Sequence, residues 1–317
     1  MSNPQVSIVA PLYNEEESFG ILVDRLTKLM DSTSLSIEIV LVNDGSKDKT
    51  EELMRVIALR DKRFHCVFLS RNFGHQLALS AGMAAARGTE AIMCIDGDLQ
   101  DPPELLGEFY KLYQQGYDVI YAVRKNRKEG WLLKAMFHYY YRIQKKLVNI
   151  DIALDSGDFA LLSRSVVNVM NQLPEESRYL RGLRSWVGFK QIGYEYDRPE
   201  RAAGETKYPI SKRIKIALNG IFNFSELPIR LITNLGIATV AVALIYFVYT
   251  LIKKFVLGVE VAEGFTGLMF TIILFSGVQL LSLGIIGEYV SRIFFQVKGR
   301  PLFIVKEKIV DGQLIKE

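Results

Sequence analysis

Short apolar runs alternate with longer amphipathic stretches along the first 125 residues of the chain. The apolar runs span residues 6–10, 37–42, 66–70, 91–95 and 119–122, and each has the length of a buried strand. Between them, apolar residues recur at helical spacing, as at Phe19, Leu22 and Leu26. This alternation predicts an α/β fold in which a mostly parallel sheet is covered by helices on both faces.

The pattern changes in the last third of the chain, which is strongly apolar. Residues 214–227 interleave apolar and polar positions and predict an interfacial helix that ends at Pro228. Residues 229–252 and 265–290 are each long and apolar enough to span a bilayer. Two such segments joined by a short loop predict a two-helix transmembrane hairpin with both ends on one side of the membrane.

Basic residues flank this predicted hairpin. They are Lys207, Lys212, Arg213, Lys215 and Arg230 before it and Arg292, Lys298, Arg300, Lys306 and Lys308 after it. By the positive-inside rule both flanks face the cytoplasm. Lys253 and Lys254 at the opposite mouth run against the rule, although snorkelling accommodates them. We therefore expect a multi-pass protein of the cytoplasmic (inner) membrane whose N-terminal domain lies in the cytosol.

These patterns divide the chain into five predicted segments. They are an α/β domain at 1–209, a juxtamembrane amphipathic helix at 210–228, transmembrane helices at 229–254 and 265–291, and a cytoplasmic C-terminal tail at 292–317. A composition of 49% hydrophobic and 23% charged residues excludes disorder. The formal charge of +4 is too small to indicate a nucleic acid partner, and the sequence has no nucleic-acid recognition motif.

Two acids follow the fourth predicted strand. Asp96 and Asp98 are two residues apart, so in an extended segment they would point the same way. Carboxylate oxygens suit Mg²⁺ or Mn²⁺, and magnesium often takes only one or two carboxylates beside water and substrate phosphates. The pair therefore predicts a metal-bound diphosphate, whereas the ordinary alternative is a pair of solvated turn residues or helix caps.

Polar residues follow the other predicted strands as well, and parallel sheets bind ligands at the carboxyl ends of their strands. These residues are Tyr13, Asn14 and Glu15 after the first strand, Asp44 after the second, Arg71 and Asn72 after the third, and Arg124 after the fifth. Each fits an ordinary turn, but their convergence on one crevice is harder to explain in that way. The sequence has no Gly-x-Gly-x-x-Gly after the first strand and no P-loop motif, so we expect metal and arginine to hold the phosphates.

Three basic segments come later in the chain. Residues 124–142 are basic and aromatic, and they fit either an amphipathic surface helix or a phosphate-binding segment at the membrane face. Arg178, Arg181 and Arg184 form a second cluster. The third, a glycine-bearing loop that ends at residue 208, is either solvated or able to close over an anionic substrate.

With these motifs in view, the chain resembles the polyprenyl-phosphate glycosyltransferases of glycosyltransferase family 2, which include dolichyl-phosphate mannosyltransferase and the bacterial bactoprenol glucosyltransferases. The matching segments are VAPLYNEE at 9–16, VNDGS at 42–46, LSRNFG at 69–74, DGDLQDPP at 96–103, SGDF at 156–159 and GEY at 287–289. They run in family order over nearly the whole chain, which is more specific than any one motif.

The resemblance implies a Rossmann-like GT-A catalytic domain that passes a sugar from a nucleotide sugar to a polyprenyl phosphate, with inversion of the anomeric centre. By motif position, the nucleoside would be held by Pro11, Tyr13, Glu15 and Asp44, and the ribose, metal and diphosphate by Asp96, Asp98 and Gln100. Arg124 would face the phosphates, and Lys134, Arg201 and Lys207 would bind the lipid phosphate.

Asp158 matches the catalytic aspartate of the family. Its role is open between deprotonating and orienting the acceptor, because a phosphate acceptor is already ionised at neutral pH. Two positions depart from the family pattern. His75 stands where relatives often have lysine, and Lys134 stands where they often have an arginine, which alone offers a bidentate fork.

Three functions remain under consideration. The first is transfer of a hexose to undecaprenyl phosphate for cell-envelope glycans, with UDP-glucose expected as donor and UDP-GlcNAc or GDP-mannose as alternatives. The second is a processive polysaccharide synthase, which generally needs more spans to form a channel. The third is a non-catalytic scaffold that binds membrane lipids or another protein, against which the intact acids argue. Gly277, Gly284 and Gly287 allow helices to pack within or between subunits, so a homo-oligomer is left open.

Overall fold

The computed structural model describes residues 3–124, 156–176, 178–197, 227–255 and 264–316. It divides into two compact units. The first is an α/β unit that combines most of the chain before residue 216 with residues 301–317, and the second is formed mainly by residues 216–300.

Nine strands of the described residues form one sheet in the α/β unit. They are β1 (Val6–Leu12), β2 (Ile37–Asn43), β3 (Phe64–Leu69), β4 (Ala91–Cys94), β5 (Val119–Arg124), β6 (Ser156–Ser163), β7 (Gln191–Tyr196), β8 (Val305–Val310) and β9 (Gln313–Lys316). Their order across the sheet is β7-β5-β6-β4-β1-β2-β3-β8-β9. The central strands β4, β1, β2 and β3 are parallel and buried along their whole length, as expected for strands covered on both faces.

Helices follow the strands in the alternation that the sequence predicts. They are α1 (Glu16–Ser32), α2 (Thr50–Arg60), α3 (His75–Ala85), α4 (Leu106–Gln114), α5 (Arg164–Gln172), α6 (Leu180–Trp186), α7 (Leu227–Phe255) and α8 (Phe265–Val297). Helix α1 buries Phe19, Leu22 and Leu26, the residues that mark its helical periodicity. The predicted α/β fold around a parallel sheet is therefore confirmed.

Strand β6 interrupts the parallel order. It lies between β4 and β5 and runs antiparallel to both, with Ala160 opposite Cys94. Strand β5 consequently points in the same direction as β4, and its carboxyl end lies at the same edge. The amino end of β6, which carries Asp158, reaches the edge at which Asp96 follows β4.

The C-terminal residues complete the sheet. Strand β8 pairs antiparallel with β3, and β9 pairs with β8. The predicted separate tail at 292–317 is therefore wrong, because α8 continues to Val297 and residues 305–310 and 313–316 are strands of the sheet. The two buried positions of β8 are Glu307 and Ile309. Because one of them is charged, the sequence lacks the alternation of apolar and polar residues that predicts a strand.

Ion pairs hold the C-terminal strands to the sheet. Arg55 pairs with Glu307. Arg87 binds Glu38 through Nε at 2.9 Å and Asp311 through Nη1 at 3.0 Å. Glu38 is only 2% exposed, so Arg87 neutralises a carboxylate that water does not reach.

In the second unit, helices α7 and α8 contain the two segments predicted as membrane spans. Apolar side chains on both are widely exposed, with Ile245 and Leu280 each 70% accessible. Within the described residues, one segment, Leu274–Val297, is long and apolar enough to cross a membrane. The second crossing stays a prediction, and residues 210–226 of the predicted interfacial helix lie outside the described residues.

We expect Arg87→Ala to destabilise the α/β unit, because the substitution leaves Glu38 buried without its cation. The free energy of unfolding should fall by about 3 kcal/mol, the low end for breaking a buried pair, since the Arg87 side chain is 35% exposed. Denaturant titration of the purified protein measures the change. Arg60→Ala, at an exposed position of α2, is the control and should stay within about 0.5 kcal/mol of wild type. Equal stability of Arg87→Ala and wild type would contradict the role given to this ion pair.

Candidate active site

The loops that follow β1 to β4 meet at one edge of the sheet. Asp44, after β2, is 3% exposed and ties two of these loops together. Its carboxylate accepts hydrogen bonds from the backbone amides of Phe73 at 2.7 Å and Gly74 at 3.0 Å, and Asn72 Nδ2 donates to its carbonyl oxygen at 3.1 Å. Burial raises the pKa of Asp44, although these backbone hydrogen bonds act in the opposite direction. The residue predicted to hold the nucleoside therefore also fixes the loop that leads into α3.

The contact between these two loops leaves no room for a side chain at Gly45. Gly45 adopts φ +67°, and a Cβ there would lie 2.6 Å from backbone atoms of Arg71 and Asn72. Only glycine combines this conformation with so close an approach.

The loop after β1 presents Tyr13, which is 39% exposed at the edge of the sheet. The backbone amide of Glu15 donates to Thr50 Oγ1 at 2.9 Å, and its carboxylate accepts from Ser18 Oγ at 2.8 Å. Pro11 lies within β1 and is buried. Tyr13 is thus the predicted nucleoside-binding residue of this loop with the most accessible side chain.

A turn, rather than an extended segment, carries Asp96 and Asp98. Strand β4 ends at Cys94, and Leu99 adopts φ +63° with its side chain 4% exposed in the core. The amide of Gln100 donates to Asp98 Oδ1 at 3.2 Å. The two acids therefore lie on a turn and not on the extended segment that the sequence predicts, and Leu99 after them is buried in a left-handed conformation.

Neighbouring residues hold this turn in place. Asp101, 2% exposed, accepts from the hydroxyl of Tyr196 at 3.0 Å and from the backbone amide of Asp96 at 3.4 Å. A Cβ on Gly97 would lie 2.4 Å from Leu12 Cδ2 and 3.0 Å from the carbonyl oxygen of Pro11. The turn therefore packs directly against the end of β1.

The predicted metal ligands are half-buried carboxylates on this turn. Asp96 and Asp98 form a pair, and the described part of the chain has no group of three or more His, Cys, Asp or Glu side chains arranged around a metal position. Two carboxylates still match the donor set of Mg²⁺ or Mn²⁺ when phosphates and water complete the coordination.

The carboxylate of Asp158 is largely enclosed, with its side chain 6% exposed. Arg181 on α6 binds Asp158 Oδ1 through Nε at 3.0 Å and Oδ2 through Nη2 at 3.4 Å. Gln76 Nε2 donates to Oδ2 at 2.7 Å, and His75 Nε2 lies 3.5 Å from the same oxygen. His75 Nε2 is also 3.3 Å from Asp96 Oδ1, so this imidazole connects the β4 turn to Asp158.

The electrostatics of this cluster follow from its contacts. Burial raises the pKa of Asp158, but the charges and hydrogen bonds of Arg181 and His75 outweigh it and hold the pKa well below its usual range. Burial lowers the pKa of His75, but the hydrogen bond to Asp158 and the charges of Asp96 and Asp158 outweigh it and raise the pKa to about 9. At neutral pH Asp158 is therefore a carboxylate that faces the cations of Arg181 and His75.

The structure brings together most of the residues predicted from the sequence. The backbone of Arg124 pairs with Tyr196 at the carboxyl end of β5, at the same edge as Asp96. Lys134, Arg201 and Lys207 lie outside the described residues. No sequence pattern marks Gln76, although it lies two residues beyond the matched segment 69–74. Arg181 is predicted only as part of a basic cluster.

Comparisons with known proteins give two family models and several full-length relatives. The model of the family "Glycosyl transferase family 2" matches residues 7–170, and that of the "GtrB C-terminal hairpin" matches residues 227–293. An uncharacterized glycosyltransferase, YkcC of Bacillus subtilis (strain 168), is 45% identical over 96% of this chain and 94% of its own length. A prophage bactoprenol glucosyl transferase homolog of Escherichia coli (strain K12) is 37% identical over 95% and 98%. A bactoprenol glucosyl transferase of Shigella phage SfII is 36% identical over 96% and 98%.

Asp44→Asn should loosen the joined loops, because one carboxylate oxygen is replaced by an NH₂ group that faces a backbone N–H. We expect a loss of about 2 kcal/mol in the free energy of unfolding, as for a buried donor left without an acceptor. Denaturant titration gives the value. Asp24→Asn, on the exposed face of α1, serves as the matched control and should change stability by less than about 0.5 kcal/mol. If the two variants lose equal stability, Asp44 does not have this structural role.

Proposed function

This chain belongs to glycosyl transferase family 2, and from that premise we propose that it transfers a hexose from a nucleotide sugar to the phosphate of a polyprenol. The observation that carries the proposal is the proximity of two sets of charged groups at one edge of the sheet. The Asp96–Asp98 turn supplies oxygen ligands. The imidazole of His75 lies near both Asp96 and Asp158, and Asp158 binds Arg181. A donor diphosphate and a separate anionic acceptor need two such neighbouring sites.

In this proposal, Asp96 and Asp98 hold Mg²⁺ or Mn²⁺, and Pro11, Tyr13, Glu15, Asp44 and Gln100 line the nucleoside and ribose. A metal ion bound there supplies positive charge to the departing diphosphate. Arg124, from the end of β5, adds its charge at the same edge. Lys134, Arg201 and Lys207 remain the proposed contacts of the lipid phosphate.

The transfer itself is a single displacement. An oxygen of the acceptor phosphate forms a bond to the anomeric carbon as the bond from that carbon to the diphosphate breaks, and the electron pair leaves with the nucleotide. The acceptor is already ionised, so no proton has to move. Asp158, whose pKa is held low by Arg181 and His75, is suited to orient the acceptor rather than to deprotonate it.

The names of the relatives support the choice of substrates. Bactoprenol glucosyl transferases align with nearly the whole chain, so we propose undecaprenyl phosphate as acceptor and UDP-glucose as donor. The product would be a lipid-linked glucose that serves as a donor for cell-envelope glycans.

Topology supports a membrane hairpin. Residues up to 196 and residues from 305 belong to one sheet, so the chain between them crosses a membrane an even number of times. If Leu274–Val297 is a span, a second segment must cross as well, and the exposed apolar side chains of α7 make that helix the natural partner. The basic flanks favour the cytoplasm as the side of the sheet.

The proposal is tested by incubating purified protein with undecaprenyl phosphate, Mn²⁺ or Mg²⁺ and each of UDP-glucose, UDP-GlcNAc and GDP-mannose carrying a labelled sugar. We expect label from UDP-glucose in the organic-extractable lipid, and no label after chelation of the metal. Label from UDP-GlcNAc or GDP-mannose instead would change the proposed sugar donor and leave the proposed reaction unchanged. Absence of labelled lipid with every donor, from protein that binds UDP, would contradict transfer to this acceptor.

Asp98→Ala should lower turnover about 100-fold or more, because charge stabilisation by a bound metal is worth several kcal/mol. The unfolding midpoint should not change. Glu52→Ala, at an exposed position of α2, is the matched control and should retain wild-type turnover. Full activity of folded Asp98→Ala would remove Asp98 from the proposed metal site.

A further inference from the structure

Four polar side chains follow one another across the candidate site. Asp96 Oδ1 lies 3.3 Å from His75 Nε2, which lies 3.5 Å from Asp158 Oδ2, and Arg181 Nε lies 3.0 Å from Asp158 Oδ1. Asp96 and Arg181 are therefore the two ends of this series. The end at Asp96 belongs to the turn proposed to hold the metal and the donor diphosphate, which leaves the end at Arg181 to be explained.

The ion pair at that end is unequally exposed. The Asp158 side chain is 6% exposed, whereas that of Arg181 is 36% exposed. Among the described residues, the hydrogen bonds of the Arg181 guanidinium all go to Asp158, through Nε and Nη2. A buried carboxylate thus holds one edge of an accessible guanidinium, and Nη1 remains for another acceptor.

Gln76 forms hydrogen bonds that stabilise the Asp158–Arg181 ion pair. Its Nε2 donates to Asp158 Oδ2 at 2.7 Å, while its Oε1 accepts from the backbone amide of Leu180 at 2.9 Å. Leu180 precedes Arg181, so one amide side chain fixes both the carboxylate and the first turn of α6. The guanidinium is therefore held in place before any ligand binds, which reduces the entropy lost on binding.

We propose that Arg181, positioned by Asp158 and Gln76, binds the phosphate group of the polyprenyl phosphate acceptor. The inference rests on the proposed function and adds a phosphate contact from α6 to it. The two anionic substrates repel each other, and binding one at the Asp96–Asp98 turn and the other at Arg181 gives each its own site. Asp158 then acts on the acceptor through Arg181, and Gln76 is a positioning residue.

The test measures binding to the full-length protein in detergent and needs no turnover. The probes are farnesyl phosphate, farnesol, and UDP with Mn²⁺, each titrated by calorimetry. Arg181→Gln should weaken farnesyl phosphate binding about tenfold or more and leave UDP affinity within about twofold, since a lost charged hydrogen bond costs at least that much. Arg181→Lys keeps the charge but loses the fork, so its affinity should be intermediate. Arg60→Gln, an exposed arginine of α2, should match wild type.

Three results would overturn the inference. The first is equal farnesyl phosphate affinity in wild type and Arg181→Gln. The second is wild-type binding of farnesyl phosphate that is no tighter than binding of farnesol. The third is a loss of UDP affinity in place of farnesyl phosphate affinity, which assigns Arg181 to the donor diphosphate. If Arg181→Gln does not fold, the same comparison with Arg181→Lys decides. Arg181-dependent binding of farnesyl phosphate without transfer from any donor would contradict the proposed function and leave this inference intact.

The positioning role of Gln76 has its own readout. Gln76→Leu should raise the dissociation constant for farnesyl phosphate severalfold and leave that for UDP unchanged. In the Arg181→Gln background the same substitution should have no further effect, because Gln76 acts through Arg181. Additive effects of the two substitutions would show that Gln76 does not act in this way.

Discussion

The candidate active site depends on keeping one carboxylate charged where water hardly reaches it. Burial by itself favours the neutral form of Asp158, and an uncompensated charge at this depth would be costly. Compensation comes from two helices, since His75 and Gln76 start α3 and Arg181 lies on α6. A single ionised side chain therefore fixes the relative positions of α3, α6 and β6, and through His75 that of the turn after β4.

The sequence predicts what is encoded locally. The strand and helix alternation from β1 to α4 is visible because each element carries its own periodicity, and the loops between them identify the edge of the sheet. The antiparallel insertion of β6 joins Cys94 to Ala160, and no local pattern encodes a pairing between residues so far apart. Asp158 is predicted in the site by resemblance to a family, and in the structure it contacts Arg181, Gln76 and His75.

Three further details of the structure have no local signal in the sequence, each for a different reason. Leu99 adopts a left-handed conformation that leucine rarely takes, so an extended segment was the natural expectation. Glu307 occupies a buried position of β8 because Arg55 neutralises it, and its charge disguises the strand. Gln76 lies in a helix without any sequence feature that marks it, and its importance comes from two hydrogen bonds to distant residues.

The return of β8 and β9 to the sheet sets an order of events during synthesis. The ribosome releases residues 3–197 first, then α7 and α8, and the strands that cover the edge of β3 last. Until those final residues emerge, β3 has an open edge of the kind that pairs with other chains, and Arg87 lacks Asp311. The sheet is therefore completed only after both apolar helices have been made, so a chain that is stalled or cut within them retains an edge prone to aggregation.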